Sequence, residues 1–154
     1  MGLIEDLAGG PVALDTCVFI YLVEEDPVYL DLVASLFDRI DRGALRAATP
    51  ALTLLEVLVV PSRAANVPLA ERYEALLTRG RGLLLVDVTR RVLRTAAQLR
   101  ARDAGLRAPD AIQLASALAA GCTTLLTNDR RIPDAGGVRV LQLRDYLPSA
   151  RRKR

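Results

Sequence analysis

Short runs of consecutive apolar residues alternate along the chain with longer segments in which apolar positions recur at helical spacing. Val12-Ala13-Leu14 reads as a first strand ending at Asp15. Cys17 to Glu25 follows as a mostly apolar helix with Asp15 or Thr16 at its N-cap. From Pro27 the near-helical spacing of Val28, Leu30, Leu32, Val33, Leu36, Phe37 and Ile40 predicts a second helix that Gly43 closes. Leu45 to Thr49 reads as the second strand. Pro50 is placed at the first position of a helix over Ala51 to Val60, which Pro61 is expected to end. Next come a helix from Pro68 to Arg79, a buried strand from Gly82 to Val88, and an amphipathic helix from Arg90 to Ala104 closed by Gly105. Pro109 opens a small-residue helix over Ala111 to Ala120, ended by Gly121. Thr123 to Thr127 is the fourth strand, Asn128 to Ile132 a helical turn, Val138 to Leu143 the fifth strand and Asp145 to Leu147 a last turn. Five short strands separated by helices predict an α/β fold whose parallel sheet is covered on both faces.

With 154 residues and no repeat or linker, residues 1–150 are expected to form one domain, followed by a basic tail at 151–154. A hydrophobic share of 51% excludes disorder, and no apolar run reaches the ~18 residues needed to span a bilayer, so no membrane association is expected. The first ten residues carry Glu5 and Asp6 where a secretory signal would have a basic segment. The expected location is therefore the cytoplasm, with Cys17 and Cys122 reduced. Of 21 basic residues, four stand in the last four positions, which leaves 17 against 18 acids in residues 1–150. The body is near neutral.

What is missing narrows the chemistry further. The chain has no histidine, which excludes a Ser/His/Asp triad, a histidine acid/base pair and a His-ligated zinc. The sole lysine, Lys153, is in the tail, which excludes a phosphate-loop or Schiff-base lysine in the core. Hydrolysis would have to rest on carboxylates. Asp15 follows the first strand, Asp129 follows the fourth, and Asp110 opens the helix leading into the fourth. Parallel sheets bind ligands at that carboxyl edge. Glu56 interrupts the otherwise apolar segment Leu54 to Val60 and, if buried on that face, needs a partner. Each acid also has a structural reading: Asp15 and Asp129 as helix or turn caps, Asp110 as a complement to the helix dipole, Glu56 as part of an exposed stripe. Together, four carboxylates at one edge repel unless cations are present. An all-oxygen donor set selects Mg²⁺, with Mn²⁺ as a substitute, and suits phosphodiester hydrolysis.

Val12-Ala13-Leu14-Asp15-Thr16, Leu55-Glu56-Val57, Pro109-Asp110-Ala111 and Leu126-Thr127-Asn128-Asp129 resemble, in order and spacing, the four motifs of PIN-domain ribonucleases, specifically small bacterial VapC-type toxins. The resemblance covers residues 11–147. It implies a three-layer α/β/α sandwich with a five-stranded parallel sheet, metal-dependent endoribonuclease activity, and inhibition by a cognate VapB-type antitoxin. Carried over, Asp15, Glu56, Asp110 and Asp129 are the catalytic and metal-binding quartet, with Asp15 and Asp110 the expected direct ligands. Thr16 and Thr127 would position carboxylates or waters, although capping and strand propensity account for them equally well.

The near-neutral body implies local contact with an RNA substrate. Arg130 and Arg131, directly after Asp129, are candidates for phosphate contact, or else belong to a solvated turn. The basic tail is read either as an RNA contact or as a solubilising extension. The apolar segments from Val18 to Val33 and from Leu52 to Val60 suggest an antitoxin groove or a homodimer seam. Two rival functions are weaker. A catalytically silent PIN-fold RNA-binding or protein-interaction module does not explain four intact acids. A haloacid-dehalogenase-type phosphatase would need a second aspartate in Asp15-Thr16-Cys17 and a core lysine.

Overall fold

The computed structural model describes residues 2–149, so the basic tail at 151–154 lies outside the described residues. Along the chain run α1 (Leu3–Asp6), β1 (Val12–Leu14), α2 (Thr16–Val23), α3 (Leu30–Asp41), β2 (Ala47–Pro50), α4 (Leu52–Arg63), α5 (Val67–Arg79), β3 (Leu83–Val86), α6 (Arg90–Arg102), α7 (Ala108–Ala119), β4 (Thr124–Thr127) and β5 (Arg139–Gln142), closed by a 3₁₀ turn over Leu143–Tyr146. All pairings in the five-stranded sheet are parallel, in the order β3-β2-β1-β4-β5. The chain builds outward from β1 on one side, then returns to build outward on the other. The switch point therefore falls between β1 and β4.

The strand pleat sorts side chains between two cores. Val12 and Leu14 point toward α1–α5 and pack with Phe19, Leu36, Ile40 and Tyr73. Ala13 and Ala48 point the other way, toward α6 and α7. The small residues on that face match the small residues of α7, where Ala111, Ala115 and Ala117 are buried, so helix and sheet can approach closely. The result is the expected α/β/α sandwich.

Three local expectations need correction. Pro50 does not open a helix: it is the last residue of β2, paired with Val86. The β1–β2 pairing ends at Ala13–Ala48, so the N–H that proline lacks would have had no partner there on the β1 side. Pro61 does not end α4 but lies buried in its last turn, with two helical residues after it, so the one bond it removes, to the Val57 carbonyl, falls at the end of the helix. Residues 128–132 form a turn rather than a helical one, because Asp129 turns back to cap its own loop. The helix α1, which the periodicity did not mark, buries Leu3 and sets Leu7 against the larger core. Of the described helices, none is long and apolar enough to cross a membrane.

Candidate active site

The carboxyl ends of β1 and β4, side by side at the switch point, bring the first pair of acids together. Asp15 ends β1 and stands at the N-cap of α2. One carboxylate oxygen accepts the Thr16 N–H (2.8 Å) and the other accepts the Thr127 hydroxyl (2.6 Å). Thr127 in turn accepts the Asp129 N–H (2.9 Å), so one hydroxyl ties the two strand ends and fixes both acids. Thr16 is buried, and its hydroxyl makes no hydrogen bond of normal length but lies close enough to the Glu56 carboxylate to lower its pKa.

Asp110 is buried in the first turn of α7, which starts at the same edge, and Glu56 lies on α4. All four acids belong to one electrostatic cluster. Burial raises the Asp15 pKa, as do the charges of Asp110 and Asp129, against the lowering effect of its Thr127 and Thr16 hydrogen bonds. Glu56 is also raised, first by partial desolvation and then by the Asp15 charge, with Asp110 adding to it. Glu56 is nevertheless exposed as a residue, and the expectation that it lies buried along an apolar face is corrected. Helix α4 presents Leu55 and Glu56 outward and buries Thr53 and Val57 instead.

Two arginines answer half of this negative charge. Arg107, which the sequence reading missed, donates from Nε and Nη2 to Asp110 (3.1 and 3.4 Å) and from Nη2 to Asp129 (3.2 Å). Its spacing three residues before Asp110, across a helix start, was the available signal. Arg131 grips Asp129 with a two-pronged contact (3.0 and 2.8 Å), while its backbone N–H caps the same carboxylate (2.9 Å). Through Arg131 first, and Arg107 besides, the Asp129 pKa falls to about 2. Arg130 is exposed beside it. Asp129 thus does act as a turn cap, but it is a cap within the cluster.

Beneath the acids runs a buried polar chain that the sequence did not announce. Thr49 donates its hydroxyl to the Leu14 carbonyl (2.8 Å), and Thr49 and Thr53 share a hydrogen bond (2.7 Å). Gln113 lies 3.5 Å from Thr53. A carbonyl can only accept, so the Thr49 proton is committed to Leu14, Thr53 must donate to Thr49, and Gln113 must donate to Thr53. This directed chain links the strand carrying Asp15 to the helix carrying Glu56 and to the helix carrying Asp110. On the other flank, Asn128 donates to the Tyr21 hydroxyl and accepts the Arg144 N–H, bracing the Asp129 turn.

Four carboxylates and the Thr16 hydroxyl form a donor set that suits a hard divalent cation. Among the described residues no three acids converge closely enough to cage an ion as they stand. Arg107 and Arg131 hold Asp110 and Asp129 instead, so the chemistry of the set fits the ion while its arrangement is that of a site closed on its own counter-ions.

The model of the PIN domain family matches residues 12–138. Among solved structures, the chain is similar to VapBC2 from Rickettsia felis bound to a DNA fragment from its promoter (TM-score 0.66, 14% identity, covering 85% of this chain and 97% of that one). It is similar to VapC20 from Mycobacterium tuberculosis, a sarcin-ricin loop cleaving toxin (0.65, 17%, 83% and 98%). It is also similar to DNA-bound VapBC from Salmonella typhimurium (0.61, 20%, 87% and 98%). At these identities the likeness is one of fold. No curated protein sequence matches the chain.

Proposed function

The chain belongs to the PIN domain family, and from that premise we propose that it is a Mg²⁺-dependent endoribonuclease, the toxin of a toxin–antitoxin pair, hydrolysing RNA phosphodiester bonds at the Asp15–Glu56–Asp110–Asp129 cluster. The observation that carries this reading is the gathering of four acids from four separate elements at one switch point. The fold alone gains nothing from ionised Asp15 and Glu56, whose pKa values are both raised, first by burial and then by the charges of the neighbouring acids.

Asp15 and Asp110, flanking the crevice, would be the direct ligands of Mg²⁺ or Mn²⁺, and Glu56 and Asp129 would complete the set. When bound, such an ion supplies a water of lowered pKa and offsets charge at the reacting phosphate. The chain's own residues do the rest. Thr127 fixes the orientation of Asp15 through the hydroxyl that also anchors Asp129. Glu56, exposed and with a raised pKa, is suited to accept and release the proton of an attacking water. Arg107 and Arg131, half of whose side-chain surface or more faces solvent, are placed to meet a phosphate beside the acids, with Arg130 next to them.

The partner readings rest on α4. Leu55 and Val60 are 62% and 66% exposed, and Leu55 adjoins Glu56, so an apolar segment of a VapB-type antitoxin seated there would cover the site. Two of the similar structures, from R. felis and S. typhimurium, are VapBC complexes. A homodimer seam is the other use of the same surface. The apolar α2 segment, by contrast, buries Val18, Phe19 and Val23 in its own core.

A second reading, a catalytically silent module, draws on the two arginines that hold Asp110 and Asp129. One experiment separates the two. Wild type should cleave RNA only with Mg²⁺ or Mn²⁺ added and melt higher in their presence, and Asp110→Asn should lose both effects while remaining folded. A cleavage rate unchanged in Asp110→Asn would overturn the assignment, and a folded wild type with neither cleavage nor a metal-induced shift would favour the silent module.

A further inference from the structure

The near-zero charge of residues 1–150 conceals two faces of opposite sign. Helix α6 carries Arg90, Arg91, Arg94, Arg100 and Arg102 and no acid. On the far side of the sheet, α1 and α3 carry Glu5, Asp6, Asp31, Asp38 and Asp41 against the single base Arg39. The sheet separates the layers, so the charges do not cancel locally.

The way α6 packs keeps its arginines available. Val92, Ala96 and Leu99 face the core, and the 3.6-residue period puts Arg90, Arg91, Arg94 and Arg102 on the outer side, where all four are exposed. Arg100 is spent on the Leu106 carbonyl (2.9 Å). The other four make no ion pair and no side-chain hydrogen bond among the described residues, unlike Arg107 and Arg131. Among the described residues α7 is the helix most heavily packed on α6, and its exposed positions do not neutralise them: its single charged residue is the buried Asp110.

Both ends of α6 are tethered to the carboxyl edge that holds the acids. Three residues join its start to the end of β3, and a five-residue segment ending in Arg107 joins its end to the first turn of α7. Tethers of that length reach no more than about 14 and 21 Å. A row of unpaired cations thus begins at the sheet edge and leads into the arginine that touches Asp110.

We propose that the outer arginine face of α6 is the track on which a single-stranded RNA lays its phosphate backbone as it enters the acid cluster. The inference rests on the ribonuclease reading and adds where the substrate lies. It replaces the sequence-based expectation of purely local contact: the net charge is small, but the charge facing the substrate is not. A polyanion fits this face because the cations are exposed, free of internal partners and without an aromatic platform, which gives affinity with little sequence preference.

The test uses the full chain carrying Asp110→Asn, so that RNA survives, and a fluorescent single-stranded RNA titrated over a range of salt. Replacing Arg90, Arg91, Arg94 and Arg102 together by Gln should weaken binding about tenfold or more near 0.1 M salt and lower the slope of log affinity against log salt by about 2 to 3, at roughly 0.7 per lost phosphate contact. A control set with the same change in net charge, Arg39, Arg63, Arg79 and Arg81 to Gln on the other side of the sheet, should stay within about twofold. Equal losses in the two sets, or no loss in the α6 set, would overturn the track. RNA binding intact in the α6 set while capture of an acidic protein partner fails would overturn it as well, in favour of a protein-binding face. In the otherwise wild-type chain, the α6 set should raise the RNA concentration needed for half-maximal cleavage and leave the saturated rate unchanged. If wild type cleaves nothing, the ribonuclease reading fails at that step, whereas cleavage with normal RNA binding by the α6 set overturns this inference alone.

Discussion

Neutralising the acids one at a time in metal-free protein should divide them by sign. Asp129 is an anion that the fold stabilises: the Arg131 guanidinium first, then the Arg131 backbone N–H and Arg107, hold its pKa at about 2 against an ordinary 3.8. At 1.36 kcal/mol per unit that difference would be worth about 2 kcal/mol. The contacts are open to water, since Asp129 is 21% exposed and its partners more so, and screening reduces the expected cost of Asp129→Asn to about 1 kcal/mol. For a domain of this size that lowers Tm by about 2 to 4 °C. A carboxyl with a depressed folded pKa contributes its stability above the unfolded value and loses it as pH falls through the folded one, so the gap between wild type and Asp129→Asn should close between about pH 4 and pH 2. Asp15 and Glu56 behave oppositely. Their folded pKa values are raised, chiefly by desolvation, so each costs stability once ionised, and the cost disappears as pH falls below the unfolded value. Glu56→Gln should therefore melt at or above wild type at pH 7. Asp15→Asn should gain less, because the carboxylate that accepts from Thr16 and Thr127 is lost. Thermal unfolding followed by circular dichroism in EDTA, from about pH 2 to pH 8, measures all three. An Asp129→Asn variant as stable as wild type at neutral pH, or a Glu56→Gln variant that falls by as much, would refute this account of the cluster.

Thr53→Val, nearly isosteric, breaks the buried chain in the middle and leaves the Gln113 amide without its acceptor; urea unfolding should show a loss of about 1 to 3 kcal/mol. Gly82→Ala forces a side chain onto a φ of +75° with its Cβ 2.6 Å from the Ile40 carbonyl oxygen, and should cost about 1 to 3 kcal/mol in the same assay. Leu55→Glu removes an exposed apolar side chain, so its unfolding free energy should stay within about 0.5 kcal/mol of wild type, while self-association or antitoxin binding measured by light scattering and calorimetry weakens at least tenfold. Burial, and then the Asp15 charge, push the Cys17 thiol up to about 12, so iodoacetamide at pH 8 should modify it slowly in the folded protein and quickly in urea.

Local pattern was enough to find β1, α3, α6 and α7, because each buries one face or run of apolar residues whose period survives in the sequence. The two prolines show where local rules stop. Pro50 and Pro61 were placed by what proline does to an isolated helix. In the protein, the end of the β1 ladder decides the first, and burial of the last turn of α4 decides the second. The exposed orientation of Glu56 was hidden for a similar reason: Leu55 and Val57 flank it in sequence, but only packing determines which of them is buried.

The sequence by itself determined the kind of chemistry open to this protein. A chain without histidine and without a core lysine has only carboxylates for hydrolysis, and their positions after strands and at a helix start already assigned them to one edge of a parallel sheet. Tertiary structure decided the state in which those carboxylates are held. Arg107 and Arg131 neutralise Asp110 and Asp129 but leave Asp15 and Glu56 unpaired, and Thr127 bridges two strand ends that are 112 residues apart at the Asp15–Thr127 bond. It also decided that the nearly neutral stretch of residues 1–150 should carry a basic face. Net charge is a sum over residues, whereas the field that a phosphate meets depends on which side of the sheet each residue is folded onto.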